Sequence, residues 1–259
     1  MKLQQCRIVL RPRNPLDSMD MAVILCRDQA GPLFRLMLWT VVPVWMVMAV
    51  MSWLTNGHWL VALCAFCTVP FVQVPFTVLG GRLLFADAPP MKSVFSDLWK
   101  CRGGLTYSLF FGGVCWLVVS LVCFVALPFV QAGFLFLNEC VLLERGGNAQ
   151  AARRSFHMSS LHYEIGLVGA LARFVLLVWF VLMGEAGGQF LFRDLLQMGA
   201  AFGSLADGQI TPYVLWGILF SQPLFAIYKL MLYVDVRTRI EGWDLQVSLR
   251  ALGLQGREA

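Results

Sequence analysis

Apolar residues in this chain fall in blocks of about twenty, and polar stretches with helical periodicity separate the blocks. Residues 1–13 carry Lys2, Arg7, Arg11 and Arg13 and read as a short basic arm. Over 15–29, Leu16, Met19, Val23 and Cys26 recur every three or four residues, with Asp17, Asp20 and Arg27 on other faces. That spacing predicts an amphipathic helix, ended by Gly31-Pro32. An apolar run over 33–54 follows, with a kink expected at Pro43. A tight turn at Thr55, Asn56, Gly57 and His58 leads into a second run over 59–80, bent by Pro70 and Pro75. Each run holds about 22 residues, enough to cross a hydrocarbon core of roughly 30 Å.

Residues 82–104 contain Val94, Phe95, Leu98 and Trp99 opposite Lys92, Asp97 and Lys100, which predicts a second helix lying along the membrane interface. Residues 105–143 carry no charge before Glu139, too long a stretch for one span, so the chain is expected to fold back. The break falls at Pro128 to Gly133 and gives a third span over 105–127 and a short fourth over 129–143. A third interfacial helix is expected within 144–163. The fifth span covers 165–183, a long loop 184–211, the sixth span 212–234, and a charged C-terminal helix 235–252. The fold class expected is therefore all-α: one integral membrane helical bundle over 1–259, with about six transmembrane helices and three cytoplasmic interfacial amphipathic helices.

Basic residues set the orientation. With the N-terminus inside, the inner segments hold every Lys and Arg except Arg173, Arg193 and Lys229, as the positive-inside rule asks, and both termini are cytoplasmic. Each interfacial helix precedes a pair of spans, so the chain reads as three copies of one unit, over 15–81, 87–143 and 147–234, with 235–259 as a charged tail. Such repeats pack around a pseudo-axis, a device that transporters also use.

Composition changes the picture little. The 59% of hydrophobic residues, 14% of charged ones and mean hydropathy of +0.71 describe a membrane chain. The net charge of +5 lies in short clusters between apolar runs, which suits anionic headgroups and excludes a nucleic-acid face. The first apolar run is too long for the core of a signal peptide and is expected to stay as an anchor. Most of the eight cysteines sit in apolar runs with no disulfide framework, and the Cys64-x-x-Cys67 spacing lacks a second pair for a metal.

The candidate chemistry is sparse. Arg173 lies inside the fifth span and Glu139 near the end of the fourth, at similar depth and able to pair, with Gln131 and Asn138 near them. They form either a ligand site or a structural polar core. Lys229 reads as snorkelling to the inner headgroups, and Gln73 and Gln222, beside Pro75 and Pro223, as caps for freed carbonyls. Arg153 and Arg154, with Arg237, Arg239, Glu241 and Asp244 directly after the last span, form charged patches for a protein partner or anionic lipid. No zinc-protease, nucleophile-elbow or phosphate-loop motif is present, and His157 and His162 lack a third ligand, so neither catalysis, a metal nor a cofactor is expected.

One resemblance emerges from these residues. Leu135 to Glu144, then Gly146-Gly147, then Ala151-Ala152-Arg153-Arg154-Ser155 form a span ending in Glu, a glycine, and an Ala-rich helix with Arg-Ser. This resembles the membrane domain that accompanies some bacterial glycerophosphodiester phosphodiesterases, and related polytopic proteins. Arg11 to Pro15 with Asp20, and Tyr233 to Leu245, are similar to that second group. The resemblance implies a bacterial inner-membrane location and no phosphodiesterase activity, because no catalytic barrel fits in the chain. The expected function is a non-enzymatic scaffold or subunit that binds membrane or cytoplasmic partners. The alternative is a transporter or lipid-handling protein built on Glu139 and Arg173.

Overall fold

Pro15 opens the first helix, because it lacks the N–H that a first turn leaves unbonded in any case. The computed structural model describes residues 13–84, 91–100, 103, 106, 110, 132–133, 135–144, 148–198 and 202–242, and their regular structure is helical throughout. Helix α1 (Pro15–Asp28) breaks at Gln29 alone, and α2 (Ala30–Leu54) starts at once. Gly31 and Pro32, expected to end α1, instead lie in the first turn of α2, where a proline costs no hydrogen bond. The hairpin to α3 (Trp59–Leu83) turns at Asn56 and Gly57, with φ of 50° and 71°, the left-handed region that these two residue types tolerate best.

Next come α4 (Met91–Lys100), α5 (Leu137–Glu144) and α6 (Asn148–Leu161). The expected third span and most of the fourth lie outside the described residues, and α5 stands where the fourth was to end. Helix α7 (Tyr163–Gln189) continues through a π-helical turn, Phe190–Leu195, so residues 184–195 are helix rather than the start of a loop. The glycines there do not break α7, and two of them, Gly184 and Gly188, seat α8 (Pro212–Phe220) against it. The last expected span divides at Ser221 into α8 and α9 (Gln222–Glu241). The charged segment after Val234 is not a separate helix up to Glu241 but the end of α9, closed by Gly242 at φ 56°.

Among the described residues, four helices, Ala30–Leu54, Trp59–Leu83, Tyr163–Leu195 and Pro212–Ile240, are long and apolar enough to cross a membrane. In their most apolar stretches the second and fourth are 61% and 78% buried, the first and third only 22% and 28%. Helices α3 and α9 are thus the centre, and α2 and α7 the periphery with apolar faces uncovered. Phe76, Leu79, Leu83, Ile227, Tyr228, Leu230 and Tyr233 fill the centre, and Gly80 lets Leu230 reach the α3 backbone.

Helix α1 packs on α9 through Ser18, Ala22 and Leu25, while Leu16 and Val23 are exposed. The small side chains at 18 and 22 allow the closer approach. On α4 Val94 is buried, but Phe95 and Trp99 are exposed.

Candidate functional site

The charges in the apolar blocks meet in the middle of the bundle. Glu139, on α5, has no exposed surface, and its Oε1 lies 3.3 Å from Nζ of Lys229 on α9, itself 7% exposed. Among the described residues, neither oxygen of Glu139 accepts a hydrogen bond in good geometry, so the pair is held by charge. Arg173 on α7 lies within electrostatic reach of Glu139, Lys229 and Tyr228. Tyr228 is fully buried and its hydroxyl has no hydrogen-bond partner among the described residues.

Sequence expectation and structure differ at one point here. The pair expected is Glu139 with Arg173, but the ion pair that closes is Glu139–Lys229, with Arg173 only within electrostatic reach, and Lys229 does not snorkel. The turn of α9 that carries Lys229 faces α3, α5 and α7, so its ammonium meets a carboxylate before it meets headgroups. Glycines set the approach of α7. A Cβ at Gly169, one turn before Arg173, would lie 2.5 Å from Leu232 and 3.5 Å from the Tyr228 hydroxyl. Asn138 is half-buried on α5, and Gln131 lies outside the described residues.

A second polar contact lies higher in the same core. Gln73 Nε2 donates to Gln222 Oε1 at 2.7 Å, joining α3 to α9, and Gln222 Nε2 donates to the Ile218 carbonyl at the α8–α9 break and to Ser221 Oγ at 3.1 Å. Gln222 thus caps a freed carbonyl as expected, whereas Gln73 serves its partner side chain.

Each end of the bundle is tied. At the end holding the α2–α3 turn, Ile210 N donates to the Gly57 carbonyl at 2.8 Å, Trp45 Nε1 to the Pro212 carbonyl at 2.9 Å, and Ser52 Oγ to the Ile210 carbonyl. Glu185, which sequence reasoning passed over because it lay in a presumed loop, accepts there from Leu205 N at 3.0 Å, from Gln189 Nε2 at 3.2 Å and from the Thr211 hydroxyl. At the opposite end, Asp235 accepts from Arg13 N at 2.6 Å and Arg239 Nε at 3.0 Å, while Arg239 Nη2 donates to the Arg13 carbonyl at 2.6 Å. Arg82 closes α4 onto α3 through Asp97 and Ser93.

Of the residues expected to dock partners, Arg239 thus holds the fold together, and Arg237 lies over the Tyr233 ring, 5.9 Å from its centroid, with Nη1 3.3 Å from its hydroxyl. Arg153 is exposed and Arg154 half-buried on α6, Glu241 ends α9, and Asp244 lies outside the described residues. Burial pushes the thiol of Cys26, outside the spans, up to about 11. No group of three or more His, Cys, Asp or Glu side chains suited to a metal occurs among the described residues. No protein-family model matches the chain, and neither a curated protein nor a solved structure matches it.

Proposed function

We propose that the chain is a non-enzymatic, multi-pass component of the bacterial inner membrane, a scaffold or subunit with both termini cytoplasmic. One observation carries this reading: aromatic and aliphatic side chains pack the centre of the bundle, while among the described residues α2 and α7 keep long apolar faces uncovered. A packed core suits a structural part, and uncovered apolar faces suit lipid or another membrane protein. The basic residues of the Asp235 end and the exposed Arg153 supply a face for a cytoplasmic partner or anionic headgroups. The order short helix, long helix, turn, long apolar segment occurs at α1–α3 and again at α6–α9, in keeping with a repeated unit.

The test is purification of the full chain in mild detergent beside a chain ending at Gly242, which keeps the Asp235 clasp. A protein partner present in fixed stoichiometry and lost on cutting the tail supports the subunit reading. A chain that comes out alone from both preparations overturns it.

A second reading, a lipid-handling protein or transporter using the polar core, is favoured by the charge buried at Glu139, Arg173 and Lys229. Isolated charges at that depth are expensive, so a cluster of three is kept for structure or for a ligand.

A further inference from the structure

Among the described residues, one face of α7 and its π-helical extension is turned away from the bundle. Val175, Trp179, Leu182, Met183, Phe190 and Leu195 lie along it and are exposed, with Ala186 and Gly187, also exposed, between them. This face does not stop where the α2–α3 hairpin stops. Glu185 accepts from the Thr211 hydroxyl, and Ile210 N donates to the Gly57 carbonyl, so Glu185 stands level with the hairpin turn. The helix from there to Leu195 rises about 15 Å past that turn. A headgroup layer is only about 5–7 Å deep. Lipid tails therefore cover Trp179 and Leu182 but do not reach Leu195, Leu196 and Met198, all of them exposed. Gly187 is a second, independent sign. Glycine weakens a helix relative to alanine, yet a Cβ at Gly187 would meet nothing within 4 Å, so no described part of the chain uses the space. At Gly184 and Gly188 the missing Cβ seats α8, whereas at Gly187 it leaves a notch that opens outward. Arg193 and Asp194, exposed and of opposite charge, stand side by side at the end of the face.

We propose that this face of α7 is the contact between two copies of the chain, packed as a parallel pair about a two-fold axis along the membrane normal. A parallel pair sets equal depths of the two helices side by side, so each overhang covers the other where lipid does not. Ala186 and Gly187 let the backbones approach closely at the outer boundary, as small residues do when helices associate in lipid. Two neighbouring charges of opposite sign make the end of the face self-complementary. Across the two-fold, Arg193 of one copy lies beside Asp194 of the other, and the same contact forms twice. A different protein would have to supply a matching overhang and matching charges, whereas a second copy brings both. The six large side chains offer about 650 Å² of apolar surface per copy, so a pair buries about 1,300 Å² and clears the roughly 1,000 Å² of a specific interface. The inference rests on the reading of the chain as a membrane component and is independent of whether a cytoplasmic partner binds its tail.

The test uses two differently tagged full chains, produced together in one membrane, extracted in mild detergent and purified through one tag. The second tag is expected to come through with the first, and sedimentation equilibrium of the purified chain should show a reversible dimer. Gly187→Leu should keep the thermal midpoint of the single chain, because its space is open there, yet weaken the dimer by about tenfold or more. Arg193→Asp should weaken it by about two- to fivefold. Adding Asp194→Arg, which exchanges the two charges, should restore the dimer, a rescue that neighbours on one helix do not produce because they do not face each other. Three results overturn the pairing: a chain that stays monomeric with no second tag recovered, a different protein recovered in place of the second copy, or Gly187→Leu as dimeric as the wild type. None of them touches the reading of the tail, which is decided by the separate comparison with the chain ending at Gly242.

Discussion

Helix α7 carries three glycines within five residues, and the geometry assigns them different roles. A Cβ built at Gly184 would stand 2.6 Å from the Tyr213 carbonyl oxygen and 3.2 Å from both N and Cα of Gly217. At Gly187 it would meet nothing within 4 Å. Ordinary contact begins near 3.4 Å, so Gly184→Ala requires the α7 and α8 backbones to part by about 0.8 Å, and neither is a flexible side chain that can swing away. Overpacking of this kind costs about 1–3 kcal/mol. Both substitutions also gain up to about 1 kcal/mol of helix propensity, and this gain cancels when the two are compared within one helix. Gly187→Ala is therefore expected to be neutral or slightly stabilising, and Gly184→Ala to lie about 1–3 kcal/mol below it. Reversible unfolding in mixed micelles at rising dodecyl sulfate fraction, followed by circular dichroism, measures both. Two variants within about 0.5 kcal/mol of each other would refute the seating of α8 on the α7 backbone.

Lys229→Met strands the buried carboxylate of Glu139 and should destabilise the bundle by about 3–5 kcal/mol, while Glu139→Gln on top of it should recover most of the loss. A double variant no more stable than the single one in the same unfolding assay would show that the two side chains are not a pair. Asp235→Asn weakens the hold on Arg13 and should speed tryptic cleavage after Arg13 severalfold, an effect read by mass spectrometry of the released peptide. Unchanged cleavage would mean that the clasp does not hold the N-terminal segment. For Cys26, burial disfavours the thiolate and lifts the thiol from 9.0 to about 11. At pH 8 its thiolate fraction is then about a hundredfold below that of an ordinary cysteine, and alkylation should accelerate only as pH climbs towards 11. Fast labelling of Cys26 in the folded protein at pH 8 would contradict that burial.

The long apolar blocks were legible because a membrane-length run of apolar residues admits few other readings. The turn at Asn56 and Gly57, and the helices at 15–28 and 91–100, were also plain from local pattern. What escaped depended on contacts between segments far apart in sequence. Glycines 184, 187 and 188 look alike as loop formers, and only the neighbour at Tyr213 and Gly217 separates a packing position from an open one. The docking of α1 on α9 through Ser18 and Ala22 is not marked by hydrophobicity, because close approach there favours small side chains. In the candidate site, depth along the spans suggests Glu139 with Arg173, and the structure puts Arg173 within electrostatic reach of that carboxylate. The choice of Lys229 as the partner was not readable, since it turns on which way α9 faces, and a lysine close to a span end snorkels by default.

The two tied ends explain why that default fails. At one end the Gly57–Ile210 contact and the hydrogen bonds from Trp45 and Ser52 fix α8 against the α2–α3 hairpin. At the other, Asp235 ties α9 to the chain before α1, and Gln73 joins Gln222 in between. Helix α9 is therefore restrained against sliding along its axis and against rotation, and both motions would be needed to carry the Lys229 ammonium out to water. Held in place, it meets the Glu139 carboxylate, and the cost of two desolvated charges is offset only in part by their attraction. A bundle built for stability alone would do better with leucine at both positions. The chain instead draws charged side chains from three helices, Glu139 on α5, Arg173 on α7 and Lys229 on α9, so the two tied ends secure the placement of the pair rather than its strength.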